Sequence, residues 1–119
     1  MRRGLAGLIA AAGLLAGNAA AASGLGFLAE TPIRRFDPVD LKLMSDAIDK
    51  ALTAAEIGAP VGWANENTSS SGEVIVQRAF ERGGRPCRDL RVVNRHRRLE
   101  AAGVYTMCRE DGQWTLAPQ

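Results

Sequence analysis

The sequence predicts an α+β fold: one N-terminal helix packed on a small antiparallel β-sheet of four to five strands, stapled by one disulfide. Three observations predict it. Apolar residues recur at three- and four-residue steps from Leu41 to Ala55, and after Pro60 the apolar spacing falls to two. The two cysteines, Cys87 and Cys108, both lie in the alternating region, near the ends of the stretch from Pro86 to Trp114.

The 119 residues leave room for one small domain, preceded by a segment of another kind. Met1-Arg2-Arg3 is a short positive start, Gly4 to Gly17 is apolar and uncharged, and Asn18 to Ser23 offers the small residues that signal peptidase needs. The apolar run is shorter than the roughly 20 residues of a membrane span. The expectation is therefore a cleaved secretory signal over 1–22, a tether over 23–36 and the folded domain over 37–119. The signal carries Arg2 and Arg3 and no acid, so its loss reduces the 15 basic side chains to 13, against 13 acids. That balance argues against nucleic acid as a partner. In an exported domain this small, two cysteines most simply form one structural bond.

Each element has its own signal. Asp37-Pro38 starts a helix, with an acidic cap, Pro at the first helical position and Asp40 in the first turn. Leu41, Met44, Ile48, Leu52 and Ala55 form the expected core stripe, and Gly58 with Ala59-Pro60 is expected to stop the helix. Val61 to Asn65 reads as a short strand and Glu66 to Gly72 as a polar loop. Glu73 to Glu81, Arg88 to Asn94, Val104 to Arg109 and Trp114 to Leu116 read as further strands. Arg82 to Arg85 turns the chain once, and the two-residue Asp111-Gly112 turn closes the last hairpin.

Registers follow. The Asp-Gly turn pairs Arg109 with Trp114 and Met107 with Leu116. A direct bond between Cys87 and Cys108 sets Arg88 opposite Met107 and Leu90 opposite Tyr105. Leu90, Val92, Tyr105, Met107, Trp114 and Leu116 then share one apolar face, where Arg88 and Arg109 are expected to lay their stems on aromatic neighbours such as Trp114. Ile75, Gln77, Asp89, Arg91, Val93, Val104, Thr106 and the disulfide fall on the other. For Glu73 to Glu81, a three-residue Gly83-Gly84-Arg85 loop is expected over a two-residue one. It turns Val74, Val76 and Phe80 inward, and that burial is worth several kcal/mol at about 25 cal/mol per Å².

The helix, Trp63-Ala64-Asn65, the Thr68 to Gly72 loop, Val74, Cys87-Arg88, Gly103, Cys108-Arg109, Asp111-Gly112 and Trp114 together resemble the bacterial seventeen-kilodalton outer-membrane surface antigen family. The resemblance covers the C-terminal module, about Asp40 to Leu116. It implies a cell-envelope location and brings no catalytic residues. Family members typically carry a lipobox cysteine and a glycine zipper ahead of this module. Neither pattern is found here, so the expectation is an unlipidated protein of the periplasm or envelope.

Chemistry is sparsely provided for. One histidine, His96, sits in an Arg-rich turn, and no metal-ligand spacing, cofactor motif or phosphate-cradling loop is present in the sequence. Cys87 and Cys108 lie too far apart for a Cys-x-x-Cys redox motif. No cofactor and no catalysis are expected. What remains is a concentration of arginine. Arg85, Arg91, Arg95, Arg97 and Arg98 are candidates for binding an anion or a partner, since the planar guanidinium suits phosphate and carboxylate. In the envelope such a partner is anionic lipid, cell wall or an acidic protein surface. Nearby acids are few, with Glu100 closest and Asp89 further along the strand. Two function classes follow: a structural or interaction module of the envelope, or a small periplasmic inhibitor or ligand-binding protein.

Overall fold

The computed structural model describes residues 31–118. The expected signal, and the expected tether up to Glu30, lie outside the described residues. From Pro32 onward the tether assignment is corrected. Pro32–Arg35 forms a 3-10 turn with Pro32 buried, and Phe36 meets the Trp63 ring edge-on, with centroids 5.2 Å apart. An aromatic set against a core tryptophan makes this stretch part of the domain.

Helix α1 spans Pro38–Thr53. Its start is a reciprocal cap: the Asp40 amide donates to Asp37 Oδ1 at 2.8 Å, and the Asp37 amide donates to Asp40 Oδ2 at 3.0 Å. Its end differs from expectation. The helix stops at Thr53 because Arg88, reaching over from the sheet, donates through Nη1 to the carbonyls of Ala51 at 3.0 Å and Ala54 at 2.8 Å. A cation on the last carbonyls satisfies orphan acceptors and suits the negative helix end. Gly58, at φ +95, instead turns the chain onto the sheet, and its amide donates to the Val76 carbonyl at 3.0 Å. The core stripe holds in its middle and is wider than expected: Leu52 is buried and Met44 and Ile48 pack against the core. Asp40, Ala47 and Ala51 are buried beside them, whereas Leu41 is exposed and Ala55 lies past the helix end.

Five antiparallel strands follow in sequence order, β1 (Val61–Asn65), β2 (Ser70–Arg82), β3 (Arg85–His96), β4 (Leu99–Glu110) and β5 (Gln113–Leu116). The expected pairs Cys87 with Cys108, Arg88 with Met107, Leu90 with Tyr105, Arg109 with Trp114 and Met107 with Leu116 are all present. Cys87 and Cys108 are disulfide-bonded. The helix packs on β1 and β2, and the 3-10 turn packs on β3 and β4. Between them they bury Trp63, Val74, Val76, Leu90 and Val92. Gly72 is fixed by its neighbours. A Cβ there would stand 2.5 Å from the Val93 carbonyl oxygen and 2.6 Å from Trp63 Nε1.

The expected three-residue loop after β2 is corrected. Gly83 and Gly84, both at positive φ, make a two-residue turn that pairs Arg82 with Arg85. The register is reset inside β2, where Gln77 forms a bulge between Val76 and Arg78. Val74 and Val76 therefore face the core as the hydrophobic argument required. Phe80, beyond the bulge, falls on the opposite face, where it pairs with Cys87 and packs on the disulfide. There Arg78 and Arg82 stack over its ring at 4.1 and 5.5 Å. These replace the stacking expected of Arg88 and Arg109 on Trp114: Arg88 caps the helix, and Arg109 is exposed.

Candidate functional site

The five candidate arginines do not form one patch. Arg85 opens β3 and pairs with Glu110 at 2.9 Å, at the end of the sheet where β4 turns into β5. Arg95 lies near the other end of β3 and is held twice, by Glu100 at 2.7 Å and by Glu73 at 3.2 Å. Both acids hold its guanidinium more firmly protonated than usual. Glu73 comes from β2, diagonally across the ladder from Arg95 and opposite Val93, so counting acids near the hairpin undercounted its partners. Arg91 sits mid-strand on the disulfide face, half-buried. Arg97 and Arg98 form the two-residue turn between β3 and β4, both exposed, with Arg97 at φ +54. The Arg97 amide donates to the Ser69 carbonyl at 2.9 Å, which fixes the turn beside the β1–β2 loop. Neither side chain has an ion pair among the described residues.

A polar network lies under the same end of the sheet. Asp40 is buried and accepts from Asn65 Nδ2 at 2.8 Å and Thr68 Oγ1 at 2.7 Å, besides the Asp37 amide. Burial pushes its carboxyl up, but the hydrogen bonds from Asp37, Thr68, Asn65 and Ser70 outweigh this and hold it below its ordinary value. Ser70, also buried, lies 2.8 Å from His96 Nδ1. A serine buried between an aspartate and a histidine fastens the strand ends together. On the disulfide face, hydrogen bonds from Thr106 and Arg78, both at 2.6 Å, likewise hold Asp89 low.

Beside the helix, the apolar sheet face stays open. Ile33, Met44, Ile48, Tyr105, Met107 and Leu116 line a groove of about 340 Å³. Tyr105 and Leu116 keep 45 and 62% of their surface exposed, so the apolar face expected from the alternation is real but only partly covered.

A family model described as the 17 kDa outer membrane surface antigen matches residues 50–115, more than half of the chain. The chain belongs to that family. No curated protein and no solved structure matches it. The match takes in all of β1 to β4 and most of β5, with both cysteines and the Arg97-Arg98 turn, and it begins inside α1. Membership of the surface antigen family points to an envelope location. This is not a known enzyme family. Among the described residues no group of three or more His, Cys, Asp or Glu side chains could hold a metal ion. No helix among them is long and apolar enough to cross a membrane.

Sequence reasoning missed two features of this surface antigen domain. One is the Asp40 network, whose signal was the run of short polar side chains Asn65, Thr68 and Ser70 following a strand, opposite a helix start with a second aspartate. The other is Arg88 as a helix cap, for which local sequence gives no signal.

Proposed function

We propose that this surface antigen domain is a non-catalytic interaction module of the cell envelope, exported through a cleaved signal and free of lipid, that meets anionic surfaces through the Arg97-Arg98 turn. One observation carries the reading. Arg78, Arg85 and Arg95 hold acids, Arg88 caps α1 and Arg82 lies on Phe80, but the two turn arginines are exposed and, like Arg34, Arg35 and Arg109, have no ion pair among the described residues. Of these only Arg97 and Arg98 stand together at a hairpin tip inside the family-matched region. Core packing asks for neither, and a rigid turn presents both guanidinium groups at little entropic cost.

Vesicles carrying about a third anionic lipid test the reading, with neutral vesicles and isolated cell wall alongside. The wild-type chain binds the anionic surface, binding fades with added salt, and Arg97→Gln/Arg98→Gln abolishes most of it. Screening at about 0.15 M salt limits reach to roughly 8 Å. Binding that ignores salt, or survives the double change, removes the turn as the site. A small inhibitor or ligand-binding protein is the second reading, supported by the apolar groove beside Tyr105. Capture of one dominant soluble enzyme from envelope extract, lost on Tyr105→Ser/Leu116→Ser, favours it.

A further inference from the structure

We propose that two copies of this domain join through the free edge of β4, as one continuous antiparallel sheet across a two-fold axis at Ala102. The strand is twelve residues long, but β5 pairs only with Met107 to Glu110. One further bond, from the Ala117 amide to the Thr106 carbonyl at 2.8 Å, closes that ladder. From Leu99 to Tyr105 the outer edge of β4 has no neighbouring strand among the described residues.

The direction of each backbone group follows from that last bond. Thr106 faces β5, so alternate residues before it, Val104, Ala102 and Glu100, turn their N–H and C=O groups to the same open side. Two further observations agree. His96 and Leu99 flank a two-residue turn, so they bond to each other and Leu99 faces β3. The Cα atoms of Cys87 and Cys108 are 4.1 Å apart, the close spacing of a pair that makes no mutual backbone hydrogen bonds, so Cys108 also faces β5. Six backbone groups thus stand in a row without a strand partner among the described residues.

The other edges of the sheet are guarded. β1 is five residues long and follows Pro60, and β5 is four residues long and is followed by Pro118. Where β2 extends past β1 it is bulged at Gln77 and carries Arg78, Glu81 and Arg82. Short length, proline, bulges and charge are the usual means of keeping an edge from pairing. Leu99 to Tyr105 has no proline or bulge, and its single charge, Glu100, is held by Arg95. The Tyr105 ring lies back over Gly103, within 2.9 to 3.2 Å of where a Cβ would stand, so it does not screen the edge.

The occupant is a second copy, because one two-fold register pairs all six open groups with one another, where axes at Ala101 or Gly103 would leave some without a partner from this row. Centred on Ala102, it sets Ala102 against Ala102 of the second copy and Glu100 against Val104 of the second copy. Each such pair exchanges two hydrogen bonds. On the helix side Ala101 meets Gly103 of the second copy, and Leu99 meets the half-exposed Tyr105. Shifting the axis to Glu100 opposes two like charges. Shifting it to Val104 needs Thr106, whose carbonyl already accepts from Ala117. The interface is isologous and closes, as a stable dimer requires.

The inference is independent of the arginine turn. Sedimentation equilibrium of the full chain, from micromolar to millimolar concentration, tests it. The wild type shows a reversible monomer–dimer equilibrium. Ala102→Pro, which removes a donor that faces outward and none that bonds to β3, stays monomeric with an unchanged thermal midpoint at dilution. Should the proline prevent folding, Val104→Lys at an exposed position serves instead and is also monomeric. A wild type that remains monomeric throughout overturns the proposal, as does a dimer undiminished in the variant that folds.

Discussion

Two leucines on the same sheet face show how differently its two halves are used. Leu90, on β3, is 1% exposed beneath the helix layer, and Leu116, on β5, is 62% exposed. Both were expected on the apolar face, and both are on it. What separates them is reach. A sixteen-residue helix covers β1 and β2, the 3-10 turn extends the cover over β3, and little is left for β4 and β5. The polar groups of the two halves have different uses. Under the helix, Asp40 and Arg88 are spent on caps and loops. Beyond it, a row of backbone groups and two large apolar side chains face outward. One half is closed over a core, and the other is left open.

The comparison predicts unequal costs for equal chemistry. Leu90→Ala lowers unfolding free energy by about 4 kcal/mol, the range for a fully buried leucine that leaves a cavity, as urea denaturation measures. Replacing Cys87 and Cys108 by Ser costs about 3 kcal/mol on the chain-entropy model, since the bond spans 21 positions. The same denaturation with and without reductant measures it. Arg88→Gln costs about 1–2 kcal/mol by freeing two helix-end carbonyls, and the helical band in circular dichroism frays with it. Leu116→Ala changes stability by less than about 0.5 kcal/mol, because most of the side chain is already in water.

Acid should attack the fold through two carboxylates, Asp40 at the helix start and Asp89 on the disulfide face. Asp40 and Asp89 are both held below the ordinary value of 3.8 in the folded state. A depressed carboxyl adds stability that is fully present above its unfolded value and is lost as pH falls through that value toward the lower folded one. The thermal midpoint therefore drops below about pH 4. Asp40→Asn flattens that acid limb while lowering the plateau at neutral pH.

Much of this was legible in the sequence. The Asp37-Pro38 cap, the alternation after Pro60, the Asp111-Gly112 turn and the cysteine pairing depend on neighbours along the chain or one strand away. The helix end was not legible, because its cap is Arg88, 34 residues from the carbonyl of Ala54 that it meets. The bulge at Gln77 was hidden for a related reason. Burial demanded that Val74 and Val76 face inward, and paired glycines demanded a tight turn. One extra residue in mid-strand satisfied both, where a longer loop had been expected. Among the candidate arginines, Arg95 was misjudged because Glu73 approaches from across the sheet, whereas Arg97 and Arg98 stand open as the sequence suggested.

Residue-resolved amide exchange at low micromolar concentration tests most directly whether the two halves differ as described. In β4 the amides of Ala101, Gly103 and Tyr105 bond to β3, and those of Glu100, Ala102 and Val104 face outward. The account predicts alternation: the first set protected to nearly the stability of the whole domain, the second exchanging close to the rate of an open chain. Uniform protection along Leu99 to Tyr105 would mean that the edge is already covered in the monomer, and would contradict the division between a closed half and an open one.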